Sequence, residues 1–157
     1  MVIKGLIEED FTNYKKPCMF IAFPCCTFKC DREAGCQVCQ NSELANTRGI
    51  NVDPSRLVEL YMNNRISKAI CFGGLEPFDS YDDMLELIQV LRESTSDDIV
   101  IYTGYTEEEV ADKVTELKSF PNLIVKFGRF RYGEKSVFDE TLGISLASGN
   151  QYAIRIS

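Results

Sequence analysis

Histidine is absent from the chain, which removes the usual general base, every Ser-His or Cys-His nucleophile arrangement and the His-containing catalytic zinc sites. Hard chemistry is then left to carboxylates, thiolates or a bound cofactor. No apolar run approaches the 18 residues of a membrane span, so no membrane partner is expected. Internal repeats, linkers and low-complexity tracts are also missing. With 157 residues and 45% hydrophobic content, the chain reads as one domain over 1–157 with enough material for its own core. An excess of basic charge is lacking as well. The formal net charge is -7, with acids spread through the helical segments, and such a surface repels phosphate backbones, so nucleic acid is not an expected partner. The most basic stretch, Lys126 to Lys135, interleaves Phe127, Phe130 and Tyr132. It reads either as a partner-binding edge or as a strand and loop with ordinary surface Arg and Lys.

What the chain does have is thiol, and in one place. Five of the seven cysteines (Cys25, Cys26, Cys30, Cys36 and Cys39) fall in a loop over 25–41. Three readings compete for such a cluster: a disulfide knot, a structural zinc site and an iron–sulfur site. The disulfide reading is set aside because Met1 to Lys16 carries Glu8, Glu9 and Asp10 where an apolar leader would have to be. The chain is also long and periodic for a secreted cysteine scaffold. The expected location is therefore cytoplasmic. Cys26, Cys30, Cys36 and Cys39 have the C-x3-C-x5-C-x2-C spacing of a possible four-thiolate zinc tetrahedron, and the loop alone leaves zinc and iron–sulfur both open.

The surrounding pattern is α/β. Cys18 to Phe23 is short, apolar and ended by Pro24, as suits a strand buried on both faces, and the cysteine loop follows its C-terminal end, where open parallel sheets bind ligands. Before it, Val2, Ile3, Leu6 and Ile7 predict a short strand or hairpin arm. After it, 42–47 predicts a helical turn, and Asp53-Pro54 opens a helix with inward Leu57, Val58, Leu60 and Tyr61. Ile66 to Phe72 is a predicted second strand running into Gly73-Gly74-Leu75-Glu76-Pro77. Tyr81 to Glu93 is a helix with Met84, Leu85, Leu87, Ile88 and Leu91 on one face. Ile99 to Tyr102 is a third strand, and Thr106 with Glu109 forms a capping box ahead of Val110, Val114 and Leu117. Leu123 to Phe127 and Tyr152 to Ile156 complete the strands. Their alternation with helices predicts a mostly parallel sheet.

With Gly73-Gly74-Leu75-Glu76-Pro77 at the end of the strand after the cysteine loop, the chain resembles the radical S-adenosylmethionine enzymes. Their cysteine loop is followed, one strand on, by a small-Gly-Gly-Glu-Pro turn. Gly73 takes the small-residue place, Gly74 matches a glycine, and Leu75 replaces the second glycine. The resemblance narrows to the activating proteins of anaerobic ribonucleotide reductases through Asp10-Phe11-Thr12-Asn13, Ile101-Tyr102-Thr103-Gly104-Tyr105-Thr106, Gly128-Arg129-Phe130 and Leu142 to Gln151, so that it covers Asp10 to Gln151.

That resemblance implies a partial open (β/α) barrel of the radical S-adenosylmethionine type and two cofactors, a 4Fe-4S cluster and S-adenosylmethionine. The family loop is C-x3-C-x2-C. Cys26 and Cys30 match its first half and Cys39-Gln40-Asn41 its end, with eight residues in place of two between Cys30 and Cys39. Cys26, Cys30 and Cys39 are thus the expected cluster ligands, with Cys36 as an alternative to Cys30. Three ligands leave one iron for the cofactor's amino and carboxylate groups. Gly73, Gly74, Leu75, Glu76 and Pro77 would receive the methionyl end. Glu76 either orients the turn by accepting backbone N–H bonds or faces solvent. Tyr102, Thr103 and Gly104 would line the adenosine pocket, Tyr102 being equally readable as core. Asn150, with Gln151, would contact cofactor or partner, or else cap a turn. Cys25 reads as a packed or backbone-limited thiol, and Cys18 and Cys71 as small hydrophobes in buried strands. No catalytic side chain is expected beyond the cluster and cofactor.

The implied activity is generation of a glycyl radical on a partner anaerobic ribonucleotide reductase, with a low-potential electron donor as second partner. A radical enzyme acting on another peptide or a small molecule, and a non-catalytic zinc interaction module, are the alternatives.

Overall fold

A computed structural model describes residues 1–157. Alternation decides the architecture. In β3 (Cys18–Phe23), β5 (Ala69–Gly74), β6 (Asp98–Tyr102) and β7 (Leu123–Phe127), nearly every residue is buried, the pattern of strands covered on both faces. These four run parallel at the centre of a six-stranded sheet of order β10-β7-β6-β5-β3-β2. Its edges, β2 (Gly5–Asp10) and β10 (Tyr152–Arg155), pair antiparallel. The protein is thus a mixed α/β structure with a mostly parallel sheet. Three pairs of short strands or helices complete it: β1 (Val2–Ile3) with β4 (Ile50–Asn51), β8 (Val137–Asp139) with β9 (Ile144–Leu146), and the small loop helices α1 (Lys29–Ala34) and α2 (Ser42–Ala45).

The two faces of the sheet are covered differently. Met19, Ile21, Phe23, Ile70, Phe72, Ile99, Ile101, Leu123, Val125 and Phe127 point to one face. There they pack against Leu57, Val58 and Tyr61 of α3 (Pro54–Asn63), Met84, Leu87, Ile88 and Leu91 of α4 (Tyr81–Ser94), and Val114 and Leu117 of α5 (Ala111–Leu117). The alternate residues Cys18, Ala69, Cys71, Val100 and Ile124 face the other way, where Tyr14, Leu142, Leu146 and Ala153 cover them and no helix does. The larger cluster holds 22 buried residues and the smaller nine, so most of the hydrophobic stabilisation lies under the helices and the opposite face is left partly open. None of residues 24–49 belongs to either core.

Local chemistry explains the helix starts. The Asp53 side chain accepts from Ser55 N with Pro54 behind it, a cap contributing about 1 kcal/mol. Thr106 N donates to Glu109 Oε2 while Glu109 N donates to Thr106 Oγ1, so the predicted capping box forms, ahead of a 3-10 turn at Glu108–Val110 that precedes α5. The second strand begins at Ala69 rather than at Ile66, which is exposed, because Asn64 Oδ1 takes the N–H groups of Ile66 and Ser67 into a turn. At the N-terminal pole of the parallel strands, Asp98 binds Lys16 at 2.6 Å, Arg155 at 2.8 Å and the Tyr14 hydroxyl at 3.0 Å. No helix is long and apolar enough to cross a membrane.

Candidate functional site

The opposite pole, at the C-terminal ends of β3, β5 and β6, carries the thiols. Beyond Pro24 the chain is tied to the neighbouring strand end: Glu76 N donates to Cys25 O at 2.7 Å, and Asn41 Nδ2 donates to Gly74 O at 2.7 Å. The cysteine loop is therefore anchored at its entrance and its exit to the same Gly73-to-Glu76 bend. Gly74 has φ +78, and a Cβ there would lie 2.7 Å from the Ala22 Cβ, so both its conformation and its closeness to β3 require glycine.

Within the loop, Thr27 N donates to Asp79 Oδ2 at 2.7 Å, and Phe28 takes a left-handed conformation at φ 51 to start α1. That strained residue turns its N–H onto Cys26 Sγ at 3.2 Å. Cys30 lies on α1, which Gly35 ends in a left-handed cap. The chain then doubles back, and one oxygen of Asp31, Oδ1, accepts from both Val38 N at 2.8 Å and Cys39 N at 2.7 Å.

A cavity of about 640 Å³ opens on the helix-free face, well inside the size range of small-molecule sites. Cys26, Cys30 and Cys39 line its upper end together with Gly73, Gly74, Leu75 and Glu76. Tyr102, Thr103, Gly104 and Lys126 form the next strand ends. Gly5 to Ile7, Thr12, Asn13 and the β9 segment Ile144 to Ala147 form the far wall. A second, narrow cleft past Thr27, Lys29, Tyr105 and Arg129, with room for about 20 Å³, also reaches Cys26 and Cys30. At Gly104 an added Cβ would stand 3.8 Å from Cys30 Sγ and 3.5 Å from Glu76 Oε2.

Several sequence expectations change here. Cys36 is exposed and outside the cavity lining, whereas Cys39, brought back by Asp31, lines it. Of the two readings of Cys25 the packed one fails, since the residue is exposed; what the bend holds is its backbone carbonyl. Pro77 is buried at the start of a 3-10 turn and does not line the cavity. Asn150 does not line it either: its Nδ2 donates to Arg129 O at 2.8 Å and its Oδ1 accepts from Ser148 Oγ, bracing the segment after β7, while Gln151 reaches the lining. Tyr102 lines the cavity and is pinned by a hydroxyl bond to Asn13 O. Cys18 and Cys71 are fully buried.

Glu76 is 7% exposed and does not face solvent; it accepts from Gly104 N at 2.8 Å and Phe78 N at 3.1 Å. The basic stretch after 126 is not one surface. Lys126 is 6% and Arg129 7% exposed, Arg129 being paired with Glu109 and Glu33. Lys126 was missed by sequence reasoning, although one signal was available. A lysine inside the apolar strand LIVKF, on the face opposite Val125 and Phe127, has nowhere to point but inward.

Burial sets the electrostatics. It pushes the Cys26 thiol up to about 12, against the opposing Phe28 N–H, and raises Cys30 as well. It lifts Glu76 to about 7 and lowers Lys126 to about 8. Lys126 Nζ has only carbonyl partners, Gly128 O at 2.8 Å and Thr103 O at 3.4 Å. A buried cation without a hydrogen-bonded carboxylate is costly, a cost that the nearby charge of Glu76 partly offsets.

The thiols themselves suit a cluster better than a single ion. Three thiols, Cys26, Cys30 and Cys39, line the cavity end, and Cys36, which a four-thiolate zinc tetrahedron would need, stands exposed outside it. An iron–sulfur cluster is instead held by thiolates ranged around it, as Cys26, Cys30 and Cys39 are ranged around the cavity end. Loading must displace the protons that burial holds on Cys26 and Cys30.

A family model described as 4Fe-4S single cluster domain matches residues 19–151. No curated protein and no solved structure matches the chain.

Proposed function

The chain belongs to the 4Fe-4S single cluster domain family, and from that premise we propose that it is a radical S-adenosylmethionine activase of the partial (β/α) barrel type, whose target is a glycine of a partner anaerobic ribonucleotide reductase. Its cluster ligands are Cys26, Cys30 and Cys39. The observation that carries this reading is that these three thiols, and not Cys36, share one cavity with the Gly73-to-Glu76 bend and with Lys126. A cluster held by Cys26, Cys30 and Cys39 would pass one electron from a low-potential donor to bound S-adenosylmethionine, a chemistry that would release methionine and a 5′-deoxyadenosyl radical, which would become 5′-deoxyadenosine on taking a hydrogen atom from the partner's glycine.

The protein's own residues bind, orient and shield. Gly73, Gly74 and Leu75 offer backbone to the methionyl amino group. Lys126 meets the carboxylate as a buried cation, forming a charge-assisted hydrogen bond. Tyr102, Thr103 and Gly104 flank the adenosine. Glu76 holds the ends of β5 and β6 together through Gly104 N, so that the bend and the adenosine side move as one piece. The far wall, Gly5 to Ile7 and Ile144 to Ala147, is left for the glycine-bearing segment, and a filled cavity keeps water from the radical. A radical enzyme acting on a different peptide would use the same upper end and differ at this wall.

The test is anaerobic reconstitution with iron and sulfide, then reduction in the presence of S-adenosylmethionine. The expected product is 5′-deoxyadenosine, followed by a glycyl radical signal when the reductase subunit is added. One equivalent of zinc without sulfide, or a loaded cluster that never cleaves the cofactor, overturns the proposal.

A further inference from the structure

We infer that Asp31 is the positioning residue that selects Cys39, rather than Cys36, as the third thiolate of the site. The inference rests on the reading that these thiols hold a cluster. Its own ground is the stretch between Cys30 and Cys39, where the chain must carry a thiol back to the cavity after leaving it. Of helix α1 only Cys30 lines the cavity, and Gly35 ends the helix. Cys36 follows the cap immediately and stands exposed.

Two residues later the direction is reversed by a single side-chain oxygen. Asp31 Oδ1 accepts from the consecutive N–H groups of Val38 and Cys39, at 2.8 and 2.7 Å. Those bonds span seven and eight residues, closing the excursion into a loop whose far end is Cys39. The remaining ties lie beyond the thiol: Ser42 N reaches Cys39 O only at 3.4 Å, and Asn41 holds Gly74 O. No apolar contact substitutes for the Asp31 grip, because α1 buries none of its residues and 24–49 contributes nothing to either core. An acceptor is needed at 31 in that geometry. A charge there adds strength, since hydrogen bonds to an ionised carboxylate are the stronger kind.

Asp31 does not line the cavity; it acts through the backbone of Cys39. Outer-shell partners of metal ligands typically contribute 10- to 100-fold in metal affinity. The test compares wild type with Asp31→Ala, Asp31→Asn and Cys36→Ser after identical anaerobic reconstitution. Iron and sulfide per chain, the rate of iron release to a chelator, and the electron paramagnetic resonance spectrum of the reduced cluster are read. Asp31→Ala should release iron roughly 10- to 100-fold faster and change the spectrum. Asp31→Asn, which keeps an acceptor oxygen, should recover most of the loss, and Cys36→Ser should match wild type in all three.

Circular dichroism of the metal-free proteins should superimpose, which separates loss of position from loss of fold. If wild type takes up iron and sulfide but Asp31→Ala is indistinguishable from it, or Asp31→Asn is no better than Asp31→Ala, the inference fails and the reading of the site stands. A wild type that takes up neither iron nor sulfide sinks both.

Discussion

Replacing Lys126 with Met should make the metal-free protein more stable and the loaded protein a poorer binder of S-adenosylmethionine, the proposed cofactor. Burial lowers the lysine from 10.5 to about 8, and at 1.36 kcal/mol for each tenfold that is roughly 3 kcal/mol of strain at pH 7. Methionine fills a similar volume and removes the charge. It also forfeits the bonds to Gly128 O and Thr103 O, together about 1 kcal/mol. The net gain is about 2 kcal/mol, or roughly 4–8 °C in Tm for a chain of this size.

The sign in pH follows from the lowered value. Below 8 the folded protein holds a proton that it would rather shed, and between about 8 and 10.5 the unfolded chain binds the proton more strongly, so wild-type stability rises with pH there and the advantage of the variant closes. Denaturant unfolding of the metal-free proteins at pH 7 and pH 10 measures this. Anaerobic binding measurements on the loaded proteins should show S-adenosylmethionine weakened roughly 10- to 100-fold, the equivalent of a lost charge-assisted bond of about 1.5–3 kcal/mol. A variant that is less stable at pH 7 with unchanged cofactor affinity would refute the reasoning, because Lys126 would then be an ordinary structural lysine.

Cys26→Ala, Cys30→Ala and Cys39→Ala should each lose the intact cluster and all detectable 5′-deoxyadenosine formation, while Cys36→Ala keeps both; iron, sulfide and product assays decide it. Glu76, lifted to about 7 by burial, holds its proton more tightly in the folded state. Metal-free wild type should therefore lose up to about 3 kcal/mol between pH 4.5 and 7, and Glu76→Gln should abolish that slope in denaturant titrations. Asp98 titrates at about 2, its burial being outweighed by the bonds from Lys16, Arg155 and Tyr14. Its contribution is present above 3.8 and lost as pH falls through 2. Because Lys16 and Arg155 are 48% and 44% exposed and so screened by water, Asp98→Asn should cost only about 1–2 kcal/mol at neutral pH. The two proteins should converge in stability near pH 2, and a gap that persists there would contradict the assignment.

The central strands were legible because each is a short apolar run with a turn signal at its end, and period-2 alternation inside a doubly covered strand carries the identity of both faces. Capping chemistry made the starts at Asp53 and Thr106 equally plain. Three kinds of feature escaped. The β8–β9 hairpin and α1 are too short for any periodicity to build up, and of their residues only Leu146 is buried. The start of β5 depended on the Asn64 side chain intercepting two N–H groups, a tertiary detail behind an apolar Ile66. The site was legible in its thiols and its Gly-Gly bend, but not in its wiring. Spacing alone left Cys30 and Cys36 as alternatives for the middle place beside Cys26 and Cys39, and what separates them is tertiary: Cys30 lines the cavity while Cys36, just past the end of α1, stands exposed. Asn150 was placed by analogy with its segment, yet its amide is used up on the Arg129 carbonyl and on Ser148.

The segment between Pro24 and Gly49 lends nothing to either hydrophobic core. A protein built this way keeps its most perishable part outside its structural skeleton. Should oxygen strip a cluster from the proposed thiols, the expected remainder is a chain still folded on its two cores and still tied at Gly74 and Glu76, open to refilling with iron and sulfide.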